Sequence, residues 1–185
     1  MRGVRRGGEG DIGELSTGID WRPLALSGLI VAADRASKLW IESNVDDWRV
    51  IHVIPGLFQI VHTRNTGIAF GMFQGPDGRS SPLLVAFSLL VMAFIGYILW
   101  GAIKPGSTEH WTSRFGLGLV MGGAAGNMHD RLRWGSVTDF LDFYLGSSHF
   151  PVFNVADSAI TVGAGLLILG IWQAHRDERQ SKPGG

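Results

Sequence analysis

The chain has 185 residues, one domain's worth, with 16 basic and 16 acidic side chains and no cysteine. Zero net charge offers no global field to attract nucleic acid, and the missing thiols exclude disulfides, thiolate nucleophiles and cysteine-based metal sites. Apolar residues make up 45% and charged residues 17%, and a mean hydropathy of +0.17 averages apolar segments with polar tails, so windows decide more than totals.

Residues 1–20 are glycine-rich and basic and read as a disordered tail. Arg5-Arg6 is followed by Gly-Gly-Glu, a poor twin-arginine signal. No small-residue cleavage site follows Leu24–Ala33, because Asp34-Arg35 interrupts. The first apolar segment, about 22–41, is therefore read as a retained helix that carries Asp34, Arg35 and Lys38. In the loop 42–81, the runs Val50–Ile54 and Leu57–Thr63 flank a Pro55-Gly56 turn as strands, and Ile68–Phe73 is a third apolar run. The second helix, 82–103, holds no charge and matches a hydrocarbon layer roughly 30 Å thick. It is too uniformly apolar for the surface helix of a soluble bundle. The third, 115–129, is short and glycine-rich. Gly116 and Gly118 lie two apart, and Gly118, Gly122 and Gly126 recur every four residues, a small-residue stripe that permits close helix contact inside a bundle. A second loop spans 132–154, the fourth helix covers 155–173, and 176–185 forms a tail. The predicted fold is membrane α-helical, one domain over 21–175. It has four transmembrane helices and a small extracytoplasmic sheet, a cradle, between helices 1 and 2.

Orientation follows from lysine and arginine. Four spans put both termini on one side, with nine basic residues (Arg2, Arg5, Arg6, Arg22, Lys104, Arg114, Arg176, Arg179 and Lys182). The other side has five (Arg49, Arg64, Arg79, Arg131 and Arg133), so both termini are expected in the cytoplasm. Polar clusters then gather near the outer surface. Asp34 and Lys38 lie in the outer half of the first helix, Asn127–Arg131 at the outer end of the third, and Asn154 and Asp157 at the start of the fourth. The two outer loops add Asn65 to Gly67 and Asp139. Intramembrane carboxylates are costly to keep and mark function.

Asp139 and Asp157 form a candidate catalytic pair. Two close carboxylates share one proton, so one can take a proton from water while the other polarises a peptide carbonyl. Bland alternatives stand beside this: Asn154 as N-cap with Asp157 at the third helical position, and Asp139 as a solvated loop residue. Asp142 is a competing carboxylate. Asp34 and Lys38, spaced i, i+4, form a structural bridge or a substrate contact. Asp130-Arg131 could simply close the third helix, and Asn65 could be a turn residue. Asn127 hydrogen-bonds within the bundle, with or without touching substrate. The six histidines are scattered without a metal-binding pattern, so neither metal nor cofactor is expected. A proton-coupled carrier and a non-catalytic lipoprotein-binding membrane protein are the rival readings. Neither needs two aspartates at the outer ends of different spans.

Four motifs resemble those of lipoprotein signal peptidase, or signal peptidase II, a family of bacterial membrane aspartic peptidases. They are Asp34-Arg35-Ala36-Ser37-Lys38, Asn65 through Gly71, Gly122 through Asp130-Arg131 and on to Asp139-Phe140, and Phe153-Asn154-Val155-Ala156-Asp157-Ser158. They occur in family order and cover nearly all of Leu24–Trp172. The resemblance implies that Asp139 and Asp157 are catalytic and that Asp142 lies outside the motif. Asn65, Gly67, Asn127, Arg131 and Asn154 would line the site, with Asp34, Lys38 and Asp130 as supporting polar residues. It further implies a lipidated prolipoprotein substrate, cut just before the diacylglyceryl cysteine. The expected partners are that substrate and membrane lipid, the expected state a monomer in the bacterial cytoplasmic (inner) membrane.

Overall fold

A computed structural model describes residues 18–67, 75 and 77–181. Most of the basic tail, the run Ile68–Phe73 and Lys182 lie outside the described residues. Among those described, the helices are α1 (Arg22–Asn44), α2 (Pro82–Ile103), α3 (Trp111–Trp134) and α4 (Val155–Ser181). The strands are β1 (Ile51–Ile54), β2 (Phe58–Asn65), β3 (Val137–Leu145) and β4 (Ser148–His149), in one antiparallel order β1-β2-β3-β4.

The sheet corrects one expectation. It is not confined to the segment between the first two helices, since the α3–α4 connection supplies β3 and β4. Burial on both faces explains why β3 was illegible. Val137 to Phe140 are all buried, so the strand lacks the in–out alternation of a half-exposed one.

Local chemistry sets the helix ends. Ser81 caps α2 by accepting the Leu84 N–H at 3.4 Å, ahead of Pro82 at the first position. Gly135, with φ of +74°, ends α3 in the left-handed region, its N–H returning to the Arg131 carbonyl at 3.0 Å. α3 runs beyond the expected 115–129 at both ends. The charged residues after Asn127 looked like a helix end but have partners or caps that let the helix continue.

α3 is the central helix, and its glycines explain how. A Cβ on Gly118 would stand 2.6 Å from the Pro23 carbonyl oxygen of α1, and one on Gly122 would stand 2.8 Å from that of Ser27. Gly126 packs on the Asp34 carboxylate, with Oδ2 only 2.7 Å from the same hypothetical atom. Gly116 and Gly123 face α4 instead, against Gly163 and Ala156. In a bilayer, where lipid tails are as apolar as leucine, such close approach is a main source of helix association.

The inward stripe of α1 holds Ser27, Asp34 and Lys38, all buried, whereas α2 exposes Leu83, Phe87, Leu90 and Phe94. Polar inside and apolar outside inverts the pattern of a water-soluble bundle. α2 and α4 are long and apolar enough to cross a membrane, with mean hydropathies of 2.5 and 1.8 over an 18-residue window of each. At one end of the bundle, Ile41 of α1 and Val45 just after it pack on Phe140 of β3 and seat the sheet on the helices.

Candidate active site

Two backbone features bring Asp139 to Asp157. β2 and β3 pair with Thr63 opposite Asp139 and Asn65 opposite Val137. Further along β3, the N–H groups of Phe140 and Leu141 both donate to the Phe153 carbonyl, at 3.0 and 2.8 Å. This irregularity pins the residue after Asp139 to the residue before Asn154, so the start of α4 lies against β3.

Asn154 joins the two carboxylates. Its side-chain Nδ2 donates to Asp139 Oδ1 at 2.7 Å, while its backbone N–H donates to Asp157 Oδ2 at 3.2 Å. The Asp157 N–H in turn donates to Asn154 Oδ1 at 3.0 Å, a reciprocal capping box at the start of α4. The capping and site positions of Asp157 are therefore one arrangement. Asn65 Nδ2 donates to Asp139 Oδ2 at 3.0 Å, and its Oδ1 accepts the Gly67 N–H at 3.1 Å, so this residue both forms the turn and reaches the aspartate. Asn127 Nδ2 donates to Asp157 Oδ1 at 2.7 Å.

Asp139 is 3% exposed. Burial raises its pKa from 3.8 to about 6, helped by the Asp157 charge, while the Asn65 and Asn154 amides and the Lys38 charge pull the other way. Its folded value thus stands above the unfolded one. Its contribution to stability is full below 3.8 and fades as pH rises through about 6.

Arg131 and Asp130 face different ways and do not close the helix as a pair. Arg131 Nη2 donates to the Gly67 carbonyl at 3.4 Å, its buried Nε has no hydrogen-bond partner among the described residues, and its charge reaches Asp157 and Asp139. Asp130 turns inward, 2.7 Å from Lys38 Nζ and 3.6 Å from Arg35 Nη1. Asp34 also meets Lys38 at 2.7 Å, so the expected i, i+4 bridge is present with a second carboxylate added. Asp142 belongs to a separate cluster, accepting from Gln59 Nε2 at 2.7 Å and lying 2.9 Å from His149 Nδ1.

Sequence reasoning missed a second polar chain beside Asp139. Arg35 stacks over Trp134 at 4.3 Å and pairs with Glu42 at 3.0 Å, and Glu42 accepts the Thr138 hydroxyl at 2.9 Å. The available signal was the i, i+7 spacing of Arg35 and Glu42, two turns apart on one helix face. Nothing local pointed to Thr138.

Fold and site together define a membrane enzyme with its polar centre enclosed at one end of a helix bundle. A family model described as signal peptidase (SPase) II matches residues 26–173. The lipoprotein signal peptidase of Solibacter usitatus is 41% identical over 157 residues, covering 84% of this chain and 93% of that protein. The lipoprotein signal peptidase of Desulforapulum autotrophicum is 44% identical over 140 residues, covering 75% and 83%. A bacterial membrane enzyme solved by the in meso method at 2.3 Å superposes with a TM-score of 0.71 at 25% identity, covering 91% of this chain and 98% of that one. The chain belongs to the signal peptidase II family and is an aspartic endopeptidase by class.

Proposed function

We propose that Asp139 and Asp157 jointly activate a water molecule to remove the signal peptide from a diacylglyceryl-modified prolipoprotein, cutting before the lipidated cysteine. The observation that carries this reading is the bridge through Asn154, one residue hydrogen-bonded to both carboxylates. Asp139 is the proton-donating member of the pair. Its raised pKa leaves a proton available to polarise the scissile carbonyl. Asp157 accepts two N–H donors and serves as the base that takes the water proton. Hydroxide adds to the carbonyl carbon, the carbonyl oxygen takes the Asp139 proton, and collapse returns a proton to the departing cysteine nitrogen. Arg131, Asn65 and Gly67 hold the substrate backbone, and Asn127 and Asn154 hold the aspartates. Asp34, Lys38 and Asp130 support them from within the bundle.

In this reading all four helices cross the bacterial cytoplasmic membrane of a monomer. At 23 and 24 residues, α1 and α3 have the length to do so at 1.5 Å per residue. Both termini are cytoplasmic, and the sheet and carboxylates stand at the extracytoplasmic face. Such a site lets the signal peptide and acyl chains stay in lipid while only the scissile bond meets the aspartates. Confinement to the membrane plane helps position the substrate. The test uses matched lipidated and unlipidated precursors with the purified protein, the products weighed by mass spectrometry. The expected result is a cut immediately before the modified cysteine in the lipidated form alone. Equal cleavage of both forms, or a cut elsewhere, contradicts the assignment.

A further inference from the structure

Lys38 is the largest fully buried side chain among the described residues, at 0% exposure, and it hydrogen-bonds to neither Asp139 nor Asp157. A buried ammonium is costly unless paired. Asp34 and Asp130, each at 2.7 Å, already supply more negative charge than one lysine needs. The additional contact reaches toward the site: Lys38 Nζ donates to Asn127 Oδ1 at 3.0 Å.

A side-chain amide has opposite ends, one accepting and one donating. Asn154 Nδ2 also donates to Asn127 Oδ1, at 3.1 Å. Two donors converge on one atom, so only the oxygen can stand there, and Nδ2 must face Asp157 Oδ1, 2.7 Å away. The flipped amide would set an NH2 group against both donors and a carbonyl oxygen against the carboxylate, repulsive at each end.

We propose that Lys38 is a positioning residue for the hydrolysis: by fixing the orientation of Asn127 it keeps a donor on Asp157 and so maintains Asp157 as the proton-accepting partner. The proposal rests on the reading of Asp139 and Asp157 as the catalytic pair. Among the described residues, the groups facing Asp157 are Asp139 from β3, Arg131 and Asn127 from α3, and Asn154 at the start of α4. Lys38 acts on this set from α1 through Asn127, and its charge also opposes the effect of burial on Asp139. Asp34 has a structural task as well, accepting the Ala156 N–H at 3.0 Å.

The experiment compares wild type, Lys38→Gln, Asp34→Asn/Lys38→Gln and Asp157→Asn, each as the full chain in detergent with a lipidated precursor. The double variant removes one charge of each sign and so avoids stranding an extra buried carboxylate. It is expected to keep the wild-type melting temperature and KM, and to lose about 10- to 100-fold in kcat, the scale of deleting an orienting partner. The Asp139 carboxyl, followed by infrared titration, is expected to titrate above its wild-type midpoint of about 6. Wild-type kcat and an unchanged midpoint in the folded double variant overturn the proposal and leave Lys38 a brace. If the double variant does not fold, Asn127→Asp decides. It keeps Lys38 but sets an oxygen against Asp157, so a matching kcat loss supports the proposal and wild-type kcat overturns it. Turnover by Asp157→Asn is a different failure, that of the catalytic pair itself.

Discussion

Asp139→Asn and Asp157→Asn each lose about 1,000-fold or more in turnover of a lipidated precursor while remaining folded and membrane-inserted. The magnitude is that of removing a positioned general acid or base. Each substitution keeps the shape of the side chain and removes its capacity to exchange a proton. In Asp139→Asn the new amide can still accept from Asn154, but it cannot deliver the proton that the raised pKa of Asp139 holds ready. In Asp157→Asn the new amide cannot take a proton from water. The folded state tolerates both, because the contact of Ile41 and Val45 with Phe140 and the glycine-mediated packing of α3 lie outside the exchange. Turnover assays paired with thermal melts check the prediction. Near-wild-type turnover by either variant contradicts the aspartyl mechanism.

A large stability effect is expected at the α1–α3 contact. Gly122→Ala places a methyl group 2.8 Å from the Ser27 carbonyl oxygen and 2.9 Å from both Ser27 Cα and Ile30 Cβ. Two of these are backbone atoms that cannot rotate away, so the helices must separate. Overpacking of this kind costs about 1–3 kcal/mol. Separation also shifts Asp34 and Lys38 from α3, so activity falls with stability. Gly101→Ala on α2 is the control, since an added Cβ there meets nothing within 4 Å. Alanine is the better helix former by about 1 kcal/mol, so Gly101→Ala is neutral or stabilising. Melting in detergent checks both. A Gly122→Ala protein that melts at or above wild type contradicts the packing scheme.

The helices were legible because membrane-length apolar windows and caps are local signals. The Asn154 cap, with Asp157 at the third helical position, is written within four residues. The Pro55-Gly56 turn also marked its hairpin, with Gly56 at φ of +82°. The glycine stripe identified α3 as the packed helix, although only contact geometry assigned Gly118, Gly122 and Gly126 to α1, and Gly116 and Gly123 to α4. β3 was hidden because a strand covered on both faces loses its alternation. The end of α3 was misplaced because His129 to Arg133 looked solvated, whereas Asp130 is buried against Lys38. α4 runs past residue 173 to Ser181 because Arg176 to Arg179 are compatible with helix and no proline intervenes before Pro183. The Arg35–Glu42–Thr138 chain spans 96 residues between Glu42 and Thr138, and no local pattern encodes a contact of that range.

That the two carboxylates share one site is tested most directly by titrating Asp139 itself. Infrared spectroscopy of protein carrying isotopically labelled aspartate, read against an Asp139→Asn reference, reports its carboxyl stretch as a function of pH. In the wild-type protein the midpoint is expected at about 6. In Asp157→Asn it falls, because removing the neighbouring negative charge removes one of the influences holding the proton on Asp139. An unchanged midpoint in that variant means that the carboxyls do not sense each other, and contradicts a jointly activated water.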